Sequence, residues 1–448
     1  MTIPPLFGAV VLAFALGPPA LAQAPPAERE PGHIAESVLG KLPGTVSVGV
    51  MRDGRVEVAV RRRERIGQAI ETVDLVKQPA AEPIFEIGSV SKVFTGLLTA
   101  LRVERGELRL DDTIGDLLAG VVSFRYETVS TIQLRQLLTH TSCLKRWPAA
   151  FTPNGMFQQA TQYGVAGLWG GLSSHVLGRS PPCETTYSNL GYAVLGQTLA
   201  ERAQRPWEAL VVADIAQPLA MYDTRQHLSP TQRSRVASPW RGGRRSHAWD
   251  AGVFAPAGGL HSTATDLLLF SRALMQGGAG PLGPAAHRLV IALTAFGDTG
   301  LRIGYGVLLS HHPERVWFHN GETLAYKAEW VVWPDRKEAL VILASNHMAP
   351  TRDVRRALVA GTFVGMAQAP EPVYTLGEFR GMYEEKGANR IYVRLKLVPG
   401  HKLPFSTLTY RVLNPQLLAG WKNGDQVEFR AERIDGENTL TALRLPAR

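Results

Sequence analysis

Cysteine is scarce: Cys143 and Cys183 are the only two in 448 residues. That excludes a disulfide-dense scaffold and a thiolate zinc cluster. The twelve histidines are scattered and never form H-E-x-x-H, so no catalytic zinc is implied and no cofactor is expected. His311 and His312 are adjacent and read as surface residues pointing apart on a strand. Charged residues make up 19% against 45% hydrophobic, the balance of a globular chain rather than a disordered one. Beyond the N-terminus no apolar run reaches the length of a membrane helix. Acidic residues are in deficit, 39 against 48 basic, for a net charge of +9. Such an excess fits cell-envelope association through anionic polymers, or simply arginines scattered over the surface. No nucleic-acid motif accompanies it, so DNA and RNA are not expected partners. Arg61-Arg62-Arg63, a short basic run, is expected at a solvated edge.

Charged side chains are missing altogether from residues 1–22. Val10 to Leu16 forms a short apolar core there, and Ala20-Leu21-Ala22 supplies a small-x-small cleavage pattern before Gln23. The usual lysine or arginine ahead of the core is absent. Residues 1–22 are expected to be an export signal and 23–33 a leader, leaving a periplasmic or secreted chain.

What is present is chemistry at spacing. Gly88-Ser89-Val90-Ser91-Lys92 sets a serine and a lysine three positions apart at the start of a predicted helix. Both side chains then share one face, one turn apart. A serine hydroxyl needs a base within hydrogen-bond reach, and a lysine serves once burial depresses its pKa. Alone the pattern is weak. Tyr187-Ser188-Asn189 and His319-Asn320-Gly321 follow downstream.

In this order the three motifs resemble the serine β-lactamase and penicillin-binding protein superfamily, in its class C-like branch of esterases, D-aminopeptidases and D,D-peptidases. Val103 to Asp112, Leu134 to Ser142 and Ala255 to Leu267 match further landmarks, so the resemblance covers roughly residues 35 to 365. It implies an acyl-enzyme on Ser89. Lys92 or Tyr187 takes the serine proton, with a phenol beside an ammonium expected to have a lowered pKa. Asn189 would hold Lys92 and contact the substrate. His319 stands where many relatives carry lysine, which argues for esters, amides or D-amino-acid peptides over β-lactams. Backbone N–H groups of Ser89 and Glu322, around Gly321, would form the oxyanion hole. Relatives usually have glycine at 322, so the Glu322 side chain is expected to disfavour anionic substrates. His140 is read as structural, and Trp147, Tyr305, Trp317 and Trp330 as pocket wall or plain core. Relatives carry glycine where Cys143 and Cys183 stand. The loops involved meet near the catalytic tyrosine in the family fold, which implies a disulfide.

The expected fold is α+β. Thr45 to Val50 and Arg55 to Val60 alternate about Asp53-Gly54, a hairpin with a primed turn. Strand-like runs return at 303 to 345 after a helical middle. One antiparallel sheet completed by both chain ends, with helices and a helical subdomain, fits residues 34–368. A linker at Ala367 to Pro372 precedes a small all-β barrel at 375–448. That barrel weakly resembles small periplasmic copper chaperones of OB-like fold; a lipocalin-like appendage is the alternative. Leu403, Ser406 and Leu408 stand at the copper-ligand positions, and none is a soft ligand, so copper is not carried over. The chain reads as an exported serine hydrolase with a small-molecule or peptide substrate. The alternatives are a penicillin-binding sensor with slow or no turnover, a β-lactamase, or a metal- or envelope-binding protein acting through its barrel.

Overall fold

The hairpin forms where the sequence places it. β1 (Gly44–Arg52) and β2 (Arg55–Ile66) pair antiparallel about Asp53 and Gly54, whose φ angles of 48° and 77° are those of a primed turn. This is a computed structural model, and it describes residues 30–66, 69–75, 82–152, 155–311, 314–360, 375–385, 390–397, 407–413, 415–434 and 437–446. The expected export signal, most of the leader and the Ala367 to Pro372 linker lie outside the described residues, as do His312, Leu403 and Ser406.

β3 (Ala69–Leu75), which alternation did not single out, pairs with β2. Arg61 to Arg63 therefore lie within the sheet rather than at a solvated edge. Arg63 reaches Glu36 on helix α1 (Pro31–Leu39) at 2.7 Å. From the other end come β4 (Thr294–Ala295), β5 (Arg302–Ile303), β6 (Leu308–Ser310), β7 (Val316–Glu322), β8 (Lys327–Trp333) and β9 (Glu338–Ala344). The nine-strand order is β3-β2-β1-β9-β8-β7-β6-β5-β4. β9 against β1, Val48 opposite Ile342, closes the sheet from both ends of the domain, as expected.

One face of the sheet packs on α2 (Ser91–Glu104) and α4 (Ala264–Met275), with α3 (Asn189–Ala203) beside α2. The other face carries α1 and α5 (Thr351–Ala360) over a second core of Ile34, Val48, Val331 and Ile342. Burying both faces explains why β8 and β9 read as nearly continuous apolar runs. Thr263 caps α4, accepting from the Asp266 N–H at 3.1 Å.

By backbone contacts the chain divides into Met1–Gly365 and Met366–Arg448. The second unit is a closed five-stranded barrel: β10 (Thr375–Glu385), β11 (Arg390–Leu397), β12 (Thr407–Val412), β13 (Gln426–Ile434) and β14 (Glu437–Arg444). β12 pairs parallel with β14, the remaining pairs being antiparallel, which makes a Greek-key barrel of the OB kind rather than an up-and-down lipocalin. Phe379, Val393, Tyr410 and Phe429 fill it, and Leu408 packs against that core.

Candidate active site

Ser89 sits in a short 3₁₀ turn, Gly88–Val90, that leads into α2 at Ser91. The turn is pinned from both sides. Ile87 N–H donates to Leu260 O at 2.9 Å, and Leu260 N–H donates to Ser91 Oγ at 3.0 Å. Ser91 Oγ donates in turn to Gly88 O at 2.7 Å, so this fully buried hydroxyl is consumed in structure. Ser89 instead lines an open cleft of about 260 Å3 with Arg146, Trp147, Tyr187, Asn189, Trp249 and His319.

The three motifs converge here. Lys92 Nζ lies 3.2 Å from Ser89 Oγ, 2.8 Å from Asn189 Oδ1 and 2.6 Å from Ala257 O. Lys92 is fully buried, and desolvation first, then the Arg146 charge, hold its pKa well below the usual lysine value. A neutral amine has two N–H groups and one lone pair. Asn189 and Ala257 accept the two N–H groups, which leaves the lone pair facing the Ser89 hydroxyl.

Tyr187 corrects an expectation. Burial pushes its phenol up to about 12, against the lowering effect of its hydrogen bond to Ser89 and the Arg146 charge. Lys92 sits over its ring, 4.7 Å from the centroid, yet burial outweighs the groups that would acidify the phenol. Tyr187 therefore remains a hydroxyl donor at neutral pH. His319 is 3% exposed and burial holds it down to about 3, so it is neutral; its Nδ1 lies 2.6 Å from Asn320 O.

His140 is buried beneath the site. Its Nδ1 accepts from Ser188 N–H at 3.0 Å, and its carbonyl accepts from Thr186 N–H at 2.9 Å. Ser188 caps α3, accepting from Gly191 N–H at 2.8 Å, which sets Asn189 at the helix start. Cys143 and Cys183 form the implied disulfide, with Cα atoms 5.2 Å apart. Cys143 holds φ at 64°, a conformation that glycine adopts more easily, and the bridge anchors it there.

Two glycines bring Ser89 and β7 together. A Cβ on Gly88 would lie 2.6 Å from Glu322 N, and one on Gly321 would lie 1.9 Å from Ile87 O and 3.2 Å from Ser89 N. The backbones can approach this closely only without side chains. Glu322 lines the cleft but is not an isolated anion: His347 Nδ1 stands 3.2 Å and Arg352 Nη2 4.0 Å from its carboxylate. The reason to expect repulsion of anions is thereby weakened.

Of the wall candidates only Trp147 lines the cleft; Tyr305, Trp317 and Trp330 are buried core, with Trp330 Nε1 donating to Ser271 Oγ at 2.8 Å. Phe157, Trp249, Phe296 and Arg146 complete the wall and were not singled out in the sequence. Arg146, Trp249 and Phe296 come from loops and Phe157 from a short helix, Met156–Gln162, where alternation carries no signal. Ala257, which supplies an acceptor for Lys92, lay in a recognised landmark without an assigned role. Among the described residues no cluster of potential metal ligands exists and no helix is long and apolar enough to cross a membrane.

Comparison with known proteins agrees with this geometry. Residues 36–362 match the beta-lactamase family. Penicillin-binding protein 4 of Amycolatopsis lactamdurans is 28% identical over 45% of this chain and 53% of its own length. The D-alanyl-D-alanine-carboxypeptidase/endopeptidase AmpH of Escherichia coli K12 is 27% identical over 43% of this chain and 49% of its own. The chain thus spans about half the length of the curated relatives it matches. The fold is that of a β-lactamase/D-alanine carboxypeptidase crystal structure from Yersinia pestis, with a TM-score of 0.62 at 18% identity, covering 74% of this chain and 98% of that one. With the match extending over most of its length, this chain belongs to the beta-lactamase family, within the serine β-lactamase and penicillin-binding protein superfamily.

Proposed function

We propose that this chain is an exported serine hydrolase that forms an acyl-enzyme on Ser89 and acts on esters, amides or D-amino-acid peptides. The observation that carries the reading is the Lys92 amine, fully buried and 3.2 Å from Ser89 Oγ, with Asn189 and Ala257 accepting its two N–H groups. In the first step the Oγ–carbon bond forms, the hydroxyl proton passes to Lys92, and the carbonyl electrons move onto oxygen. Backbone N–H groups of Ser89 and Glu322 receive that oxyanion. Collapse expels the leaving group, which takes its proton from the Tyr187 hydroxyl, with Lys92 restoring it. Water then cleaves the acyl ester and returns Ser89.

Neutral His319 supports esters and amides over β-lactams, since it offers no fixed charge. The carboxypeptidase relative adds D-amino-acid peptides to the substrate classes worth testing. Export is supported by the uncharged N-terminal 22 residues and by the Cys143–Cys183 bridge, which fits an oxidising compartment.

The test is labelling of the mature chain with a fluorescent fluorophosphonate and a fluorescent penicillin, followed by measurement of release. Labelling mapped to Ser89, absent in Ser89→Ala, with turnover of nitrophenyl esters or D-Ala-D-Ala peptides above that of nitrocefin, is the expected result. An adduct on another serine rejects the nucleophile. A penicillin adduct that forms but never releases, with no ester or peptide turnover, replaces the hydrolase with a sensor.

A further inference from the structure

The Glu86 side chain ties together parts of the site that the chain brings from far apart. Phe85 and Glu86 pair antiparallel with Ser262 and His261, just ahead of the Ser89 turn. The side chain is 3% exposed, and its Oε1 accepts from Trp249 N–H at 2.6 Å. Trp249 lies in an irregular stretch, residues 246–250, so no helix or strand fixes its backbone. Its indole lines the cleft, donates from Nε1 to Phe157 O at 3.0 Å and meets the Phe157 ring edge-on at 5.0 Å. The ring lies against Gly258, where an added Cβ would come within 3.2 Å of it and within 3.7 Å of Gly88 C. The Trp249–Phe157 wall is thus set beside the nucleophile turn, and Glu86 holds its main chain there.

Thr323, the residue after β7, hydrogen-bonds the same carboxyl. It is 2% exposed and closes a turn with Tyr326: Thr323 N–H donates to Tyr326 O at 3.0 Å, and Tyr326 N–H donates to Thr323 Oγ1 at 3.3 Å. The residue before it is Glu322, whose backbone N–H faces the oxyanion in the mechanism above. Glu86 Oε2, by contrast, is buried without a hydrogen-bond partner among the described residues. Burying a half-satisfied acid works against folding. Leucine would fill similar space without that cost, so stability alone does not account for an acid here.

We infer that Glu86 is a positioning residue for the reaction: its carboxyl holds the Trp249 wall and the Thr323 end of the oxyanion strand in register with Ser89. It tunes substrate fit through the wall and oxyanion contact through the strand, and touches the substrate itself at neither. The inference rests on Ser89 being the nucleophile. A displacement of about 1 Å at such contacts can cost on the order of 10²-fold in rate.

Three variants of the full chain test this. Glu86→Leu removes both hydrogen bonds at similar volume. Glu86→Gln keeps an acceptor for Trp249 N–H and a polar partner for Thr323. Thr323→Val removes the hydroxyl on the oxyanion side alone. The probe is a fluorescent fluorophosphonate, followed over time at several concentrations. Phosphonylation joins Ser89 Oγ to phosphorus, expels fluoride and passes the hydroxyl proton to Lys92, while the phosphoryl oxygen takes the place of the oxyanion. The readouts are the limiting rate constant, the half-saturating concentration and the plateau of labelled Ser89. Glu86→Leu should lower the rate constant by about 10–100-fold and raise the half-saturating concentration, at an undiminished plateau. Glu86→Gln should recover most of the rate, and Thr323→Val should lower the rate constant with little change in half-saturation. A role in folding alone would lower the plateau and leave the other two readouts at their wild-type values, which overturns the assignment. Glu86→Gln as slow as Glu86→Leu, or Thr323→Val with an unchanged rate constant, overturns it as well. Glu86→Gln and Thr323→Val decide the matter if Glu86→Leu does not fold. Any of these reversals with Ser89 labelled in wild type leaves the nucleophile standing; no label on Ser89 in wild type removes both.

Discussion

Lys92 gives one N–H to the carbonyl oxygen of Ala257, 2.6 Å away, and that contact helps aim its lone pair at Ser89. The pKa of Lys92 is depressed by burial, so the reactive neutral form persists below the usual lysine range. Activity should therefore be retained at neutral pH and fall only as pH drops through that depressed value. Lys92→Met should lower kcat/KM by about 10²–10⁴-fold. A pH–rate profile checks this: an acidic limb near the ordinary lysine pKa of about 10.4 would remove Lys92 from the role of base.

Gly321 is required by its neighbour. A Cβ there would meet Ile87 O at 1.9 Å and Ile87 C at 2.8 Å, both backbone atoms that no rotamer change can move. Gly321→Ala should push β7 away from Ser89 and separate the two N–H groups of the oxyanion hole. A loss of about 10²–10³-fold in kcat is expected, with stability down by about 1–3 kcal/mol. Gly170→Ala, where nothing lies within 4 Å of the added carbon, is the control. Equal effects of the two substitutions in rate and melting assays would reject the close-approach argument.

Local signals were legible in the sequence and convergent ones were not. Asp53-Gly54 named its turn because left-handed backbone favours those residue types. Ser89 and Lys92 were legible because three residues on a helical turn place side chains together. The helical face could not show that Ala257, 165 residues away, supplies an acceptor for the amine. Arg146 was missed for the same reason: an exposed loop arginine looks like any surface charge until the fold sets it over Tyr187. The Tyr187 pKa was misjudged because sequence suggests a neighbouring charge and only packing shows how strongly burial opposes it.

The disulfide makes a stability prediction independent of catalysis. Cys143 and Cys183 are 40 residues apart, and cross-linking a loop of that length restricts the unfolded chain by about 4 kcal/mol in the chain-entropy model. The double variant Cys143→Ser with Cys183→Ser should melt at lower temperature and loosen the loop that carries Arg146. Thiol counting on denatured, unreduced wild type should find none free. Two free thiols per chain would contradict the bridge.

Glu86 carries the last prediction, on pH. It lies three residues before Ser89, is 3% exposed, and accepts from Trp249 N–H at 2.6 Å. Thr323, just past Glu322, also hydrogen-bonds its side chain. Burial outweighs both bonds and raises its carboxyl to about 7 from 4.5. The folded pKa thus lies above the unfolded one, so the fold favours the protonated acid. Ionisation costs stability progressively as pH rises from about 4.5 to about 7, and the full cost stands above that window. On this reasoning wild type should lose, relative to Glu86→Gln, on the order of 3 kcal/mol between pH 4.5 and 8. Lys92, His140 and His319 push the total pH dependence the other way, since their folded pKa values are lowered. Subtracting the Glu86→Gln curve from the wild-type curve removes those shared contributions. Urea unfolding of both proteins across this range is the measurement. Parallel curves would mean that Glu86 does not change its protonation on folding, and that the Trp249 and Thr323 contacts are insensitive to pH.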